Sequence, residues 1–233
     1  VGNFIDIAAS VLSQSERRVE IAGQNIANLT TPGYKRRVSF AAFLPPDGSG
    51  LDPLTTGVTP DLAAGKLSET GNPYDLAIAG GGFFTINVAG QSLYTRQGQF
   101  QRDADGRLVT AQGFAVQAEG GGDIRLKSAD FKVLDDGSVV EDGEPVAKLA
   151  IVDFANPQNA AYAEGGLLSM PDADVKPAET SRLRQGMLEA SNVSMGDEMI
   201  SMMEALRRAE SGQRLAGVYD DLMGRVLNAF AQQ

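Results

Sequence analysis

Histidine, cysteine and tryptophan are absent from the 233 residues. Without histidine no side chain has its ordinary titration near neutral pH, and no imidazole can ligate a metal. Without cysteine there is no disulfide framework, thiol nucleophile or thiolate zinc site. Carboxylate, lysine or tyrosine chemistry survives these absences, as do binding and structural roles. Also missing is any apolar run near the roughly 18 residues of a membrane span. No basic segment followed by an apolar stretch opens the chain, so the expectation is a cytoplasmic protein or one exported without a cleaved signal. Positive charge is scarce: 20 Lys and Arg stand against 30 Asp and Glu, for a net of −10 and a pI near 4.5. That balance argues against nucleic acid as a partner, because a run of phosphates would go unneutralised.

The charge is unevenly spread. Residues 41–180 hold nine basic and twenty acidic side chains, a net of −11, whereas residues 1–40 hold five and three and residues 181–233 hold six and seven. Near-neutral ends around an acidic middle suggest ends that meet protein and a middle that meets water. Hydrophobic residues are 42% of the chain, enough for a substantial core.

Both ends carry helical periodicity. Ile5, Ala8, Leu12, Ser15, Val19, Ala22, Ile26 and Leu29 alternate spacings of three and four, a heptad seam with one polar member. The pattern stops at Thr30-Thr31-Pro32-Gly33, where proline removes a donor and glycine permits a sharp turn. Near the far end Met195, Met199, Met202, Leu206, Ala209, Gln213 and Ala216 repeat the alternation, which resumes at Met223, Leu227 and Phe230. Ser194 is a fitting N-cap, with Asp197 and Glu198 in the first turn. Gly212, Gly217 and Gly224 weaken this helix in isolation, so it is expected to lean on neighbours.

The middle reads as β-structure. Phe83 to Val88, Leu93 to Thr95, Arg107 to Thr110, Phe131 to Leu134 and Ala147 to Val152 are short strand-like runs. Asp105-Gly106, Asp136-Gly137 and Asp142-Gly143 between them suit tight hairpin turns. The resulting expectation is an α+β chain whose N- and C-terminal helices pair as a coiled-coil-like core around a central, mostly antiparallel β-domain. Its segments are an N-terminal helix over 1–31, an extended linker over 32–75, the β-domain over 76–175, a return linker over 176–190 and a C-terminal helix over 191–233.

Candidate chemical motifs fail on context. Gly80-Gly81-Gly82 leads into a β-run rather than the helix that a phosphate-binding loop needs. Asp103-Ala104-Asp105-Gly106 lacks the Glu that closes a calcium loop, since residue 112 is Gln. The neighbouring carboxylates Asp135/Asp136 and Asp220/Asp221 imply no pocket. Met199, Met202 and Met203 could form a soft-metal site, but at helical spacing they read as packing. Lys35-Arg36-Arg37 is open to two readings: a solvated loop, or an ion-pairing patch for an acidic neighbouring subunit. No catalytic residue, metal or cofactor is expected.

Three linked segments resemble one known family. Gln24 to Arg36, containing Asn25-Ile26-Ala27-Asn28-Leu29-Thr30-Thr31-Pro32-Gly33-Tyr34, resembles the N-terminal signature of bacterial flagellar basal-body rod and hook proteins. Leu188-Glu189-Ala190-Ser191-Asn192-Val193-Ser194, followed by Glu198-Met199-Ile200, resembles their C-terminal signature. Asn72-Pro73-Tyr74-Asp75-Leu76, Gly82-Phe83-Phe84, Tyr94-Thr95-Arg96 and Gly98-Phe100 resemble the β-domain between them. A chain this short is most similar to the proximal members of the rod family, with the distal members as the alternative. A secreted adhesin or binding module is the rival of a different class.

The resemblance implies a structural subunit, not an enzyme. It would leave the cell unfolded through the flagellar type III export apparatus, without a cleaved signal peptide. It would then join copies of itself and other rod proteins in a helical tube in the periplasm, the drive shaft from motor to hook. On that reading the assembly residues are Ile5, Leu12, Val19, Ile26 and Leu29 at one end and Val193, Met199, Met202, Leu206, Met223 and Leu227 at the other. Tyr34 is expected to anchor the corner after the first helix. Asn28 and Asn192 are expected to make backbone or intersubunit hydrogen bonds.

Overall fold

The computed structural model describes residues 2–42, 55–178 and 180–231. They divide into two units: a helical unit of residues 2–27, 37–42, 55–58 and 194–231, and a β unit of residues 28–36, 59–178 and 180–193. The architecture is α+β, with two helices packed on each other and a central antiparallel β-domain.

In the helical unit α1 (Gly2–Ala27) packs along α2 (Met195–Ala231). On α1 the buried residues Ala8, Ser15 and Ala22 recur every seven positions, with Leu12, Val19 and Ile26 half-buried. The polar member is satisfied locally, because Ser15 Oγ donates to Val11 O at 2.7 Å. On α2 the buried stripe is Glu198, Ala205 and Gly212, again seven apart, flanked by half-buried Met202, Ala209 and Ala216. That stripe is offset from the expected seam, since Met195, Met199 and Leu206 stay about half exposed at 51%, 49% and 50%. Small residues let two backbones approach more closely than methionines do, so α2 turns Ala205 and Gly212 inward and leaves the longer side chains outside. The side chains of Ile5, Met223 and Leu227 lie outside the described residues.

The first helix ends at Ala27, short of the expected residue 31. Beyond it Thr31 N donates to Asn28 O and Tyr34 N to Thr31 O, two successive three-residue turns in place of the four-residue spacing of a continuing helix, and Pro32 has no N–H to offer one. Leu29, read as the last member of the seam, therefore lies outside the helix, half-buried in the β unit.

The β unit is built around the strand Phe83–Val88, buried on both faces over its first four residues. It pairs with Gln91–Thr95 through a turn in which Ala89 and Gly90 both have positive φ, and on its other side with Ala115–Val116 and Ile151–Phe154. The three Asp-Gly pairs sit in turns as expected, and Asp142-Gly143 joins Ser138–Glu141 to Glu144–Lys148. The run 147–152, expected as one strand, is divided. One strand ends at Lys148 and the next begins at Ile151, because Leu149 N donates to Gly137 O and Ala150 N to Gln117 O as the chain changes sheets.

Residues read as connectors carry strands too. Arg182–Gln185 pairs with Leu76–Ala79, and Met187–Glu189 pairs with Leu67–Glu69. Their apolar members, Leu183 and Leu188, are buried, which the short three- and four-residue repeats do not signal in sequence. Two apolar clusters fill the unit. One holds Leu76, Phe84, Ile86, Val116 and Leu183; the other stacks Phe83 on Phe154 with centroids 4.5 Å apart.

Asp174 holds a loop of the second cluster together. Its carboxylate accepts from Asn159 Nδ2 at 2.6 Å and from Asn156 Nδ2. These bonds favour the charged form and hold the group below the usual aspartate value. A carboxylate whose pKa is depressed on folding stabilises the protein above its ordinary value, and that stabilisation is lost as pH falls through the folded value. The stability difference between wild type and Asp174→Asn should therefore be larger at about pH 6 than at about pH 3, read as urea midpoints. A difference independent of pH would contradict this.

The helix pair makes a second prediction. A Cβ built on Gly212 would stand 3.4 Å from Leu12 Cγ and from Val11 Cγ1, at the limit of ordinary van der Waals contact. Gly212→Ala should be tolerated, because better helix propensity offsets the tighter contact by about 1 kcal/mol. Gly212→Leu should cost about 1–3 kcal/mol by overpacking. Thermal unfolding followed by helical circular dichroism distinguishes the two.

Candidate functional site

Two features stand out, one in each unit. In the helical unit α2 carries Met195, Met199, Met203 and Leu206 on one flank, each about half exposed. Beside the buried stripe Asn25 of α1 is fully enclosed. Its side-chain amide mimics a neighbouring strand: Oδ1 accepts from Arg37 N at 2.8 Å, and Nδ2 donates to Arg37 O at 2.9 Å. Nδ2 also reaches Glu198 Oε2 at 3.1 Å, so one side chain ties α1, α2 and the start of the strand Arg37–Ala42.

In the β unit the corner after α1 converges with the last strand. Gly33 has φ 66°, and its N–H donates to Glu189 O at 2.6 Å. A Cβ there would lie 2.2 Å from Arg96 O, so only glycine allows the turn to press against that backbone. Tyr34 is buried, and Tyr34 O accepts from Asn192 N. The Asn192 side chain does more: Oδ1 accepts from Arg36 N at 2.7 Å, while Nδ2 donates to Asp61 O at 2.9 Å and Ala63 O at 3.0 Å. The segments by which the chain enters and leaves this unit thus lie side by side.

Beneath them lies a buried charge cluster. Glu189 Oε1 accepts from Lys35 Nζ at 2.7 Å and Gly65 N at 2.8 Å, and Oε2 accepts from Arg96 Nη1 at 2.9 Å. Lys35 Nζ also donates to Ala63 O at 2.7 Å. Arg96 donates to Ile78 O and Gly80 O, and its guanidinium lies 5.1 Å from the centre of the Phe83 ring. The three charged side chains are 1–4% exposed. Burial pulls the Lys35 ammonium below its ordinary value even though Glu189 opposes this, and burial likewise lowers Arg96.

Lys35 therefore belongs to neither of the two readings its sequence allowed. It is enclosed by its own chain and pairs with the chain's own glutamate. Charge patterning missed the cluster because the three residues stand in separate segments, with apolar neighbours Leu188 and Ala190 on either side of Glu189 as the one local signal. Glu198 lies in the first turn of α2 as its spacing predicts, and it too is buried. Among the other expected site residues, Leu12, Val19, Ile26 and Met202 are half-buried in the helical unit, with Met199 and Leu206 on its exposed flank. Val193 is buried in the β unit, and Asn28 Oδ1 accepts from Thr31 Oγ1 at 3.1 Å.

No three His, Cys, Asp or Glu among the described residues are grouped to hold a metal, and no described helix is long and apolar enough to cross a membrane. A helix pair with a half-exposed apolar flank, attached to a β-domain closed by its own entry and exit segments, defines a structural subunit made to pack.

Sequence comparison places that class in a family. A flagella basal body rod protein model matches residues 5–35, a flagellar hook protein FlgE/F/G D1 domain model matches 77–144, and a flagellar basal body rod FlgEFG protein C-terminal model matches 184–229. A flagellar basal-body rod protein FlgF of Caulobacter vibrioides is 32% identical over 223 residues, covering 90% of each chain. A FlgG of Agrobacterium fabrum is 30% identical over 250 residues, covering 93% of this chain and 95% of its own. A FlgF of Escherichia coli is 29% identical over 240 residues, covering 94% of each. The chain belongs to the flagellar basal-body rod protein family, whose members are structural components of the rod.

The buried cluster yields a direct stability prediction. Glu189→Ala leaves two cations uncompensated inside the unit and should cost about 3–5 kcal/mol. Glu119→Ala, which breaks an exposed 2.7 Å pair with Lys148, should cost under about 1 kcal/mol. Equal losses in denaturant unfolding would contradict the assignment.

Proposed function

We propose that this chain is a proximal-rod subunit that assembles helically with copies of itself and other rod proteins into the hollow shaft carrying torque from motor to hook. The observation that supports assembly most directly is the half-exposed flank Met195, Met199, Met203 and Leu206, an apolar stripe beside the α1–α2 contact. In this reading α1 and α2 pair in coiled-coil fashion, and the flank of α2 meets a neighbouring subunit. Such a contact joins two different surfaces, so repeating it produces an open helix rather than a closed ring. Methionines suit it, because their flexible side chains adapt to neighbours that are not all identical.

The proximal assignment is supported by identity: the FlgF of Caulobacter vibrioides is 32% identical over 90% of both chains, the FlgG of Agrobacterium fabrum 30%. Export without a cleaved signal peptide, through the flagellar type III apparatus to the periplasmic rod, completes the proposal.

Substitution at the two helix surfaces tests it. Leu206→Asp on the flank and Ile26→Asp on α1 should each abolish motility and leave basal bodies without a complete rod, while the purified full-length variants keep the β-sheet circular dichroism of the wild type. Swimming cells with normal rods in both variants would overturn the proposal. Photo-cross-linking from position 199 in intact basal bodies then separates the types: a proximal subunit is captured with rod proteins on both sides, a distal one with the hook.

A further inference from the structure

Glu189 sits between two cations that arrive from remote parts of the chain, Lys35 lying 154 residues and Arg96 93 residues before it. All three side chains are enclosed. A buried charge without its partner is strongly disfavoured, so every partial version of this cluster is worse than the complete one. With Glu189 undocked, Lys35 and Arg96 would face each other, cation against cation. Arg96 is not free to withdraw, because it also spans Ile78 O and Gly80 O and covers Phe83, a member of the second apolar cluster.

The backbones around the cluster leave no slack. A Cβ on Gly65 would stand 1.9 Å from Ala190 O, as one on Gly33 would crowd Arg96 O. Segments in such contact cannot dock loosely with water between them. The cluster therefore links the first, middle and last parts of the β unit in one arrangement.

We propose that Lys35, Arg96 and Glu189 form a closure clasp, so that the β unit becomes native in a single step that requires residues 33–36 and 187–192 to dock together. A chain presented residue by residue from its N-terminus then lacks the native β unit until Glu189 is available, however many central strands have already appeared. The pairings are among the most non-local in the unit, so the entropy of closing the intervening chain is offset only when both segments dock. This inference rests on the geometry of the cluster and not on the rod assignment.

Hydrogen exchange on the full chain tests it, comparing wild type, Lys35→Met, Glu189→Gln and the surface control Glu119→Gln. In Lys35→Met the core amides of Phe84, Ile86 and Val116 should lose about tenfold or more of their protection, by the same factor as residues 33–36 and 187–192. Glu189→Gln should show the same pattern more strongly, and a Glu189→Gln chain that fails to fold while the control folds agrees with the clasp. Fast exchange confined to 33–36 and 187–192, with Phe84, Ile86 and Val116 as protected as in wild type, would overturn it. Wild-type protection throughout both variants would overturn it as well.

Discussion

The burial of one carboxylate between two cations organises the β unit. Glu189 could not be enclosed alone, and neither could Lys35 or Arg96. Because each needs the others, the corner after α1, the strand region ending at Arg96 and the last strand must share one place. Around that requirement the remaining features fall into order. Gly33 and Gly65 remove the side chains that would hold the backbones apart, and Asn192 satisfies the backbone groups of Arg36, Asp61 and Ala63. Such a cluster contributes modestly to net stability, while removing any one member strands a buried charge and costs far more.

The helical unit follows a different logic. Its fully buried positions at seven-residue intervals are Ala8, Ser15 and Ala22 on one helix and Glu198, Ala205 and Gly212 on the other, with the amide of Asn25 holding Glu198. Small residues give close approach and little apolar area, so the pair buries less than a leucine seam of equal length. The methionines and Leu206 remain at the side, available for further contact. A subunit that filled its seam with large residues would have less left to offer a neighbour. The acidic middle fits the same division of labour, with charge kept on the β-domain and its connectors and the helical ends nearly neutral.

Much of this was legible before any coordinates. Heptad spacing located both helices, and the Asp-Gly pairs located the turns, because both signals are local. What escaped was set by contacts between distant segments. The expected α2 seam brings Met202, Ala209 and Ala216 beside the contact but leaves Met195, Met199 and Leu206 outside it, since hydrophobicity alone does not register the advantage of small residues in a close helix contact. The strands Arg182–Gln185 and Met187–Glu189 were too short to announce themselves and exist because Leu76–Ala79 and Leu67–Glu69 lie ready to pair. Lys35 looked like a surface charge because its partner stands 154 residues away. The family resemblance rested on the same stretches that hold Lys35, Arg96 and Glu189, so the signature residues are in part the clasp itself.

On the proposed function the exposed flank of α2 becomes covered on assembly, whereas Met170 is already enclosed in the free chain. Oxidative footprinting of methionine measures this directly, comparing the purified chain with rods in isolated basal bodies. Met195, Met199 and Met203 should oxidise readily in the free chain and become protected in the rod, whereas Met170, buried in the β unit, should stay protected in both. Equal oxidation of Met195, Met199 and Met203 in the two states would contradict the account.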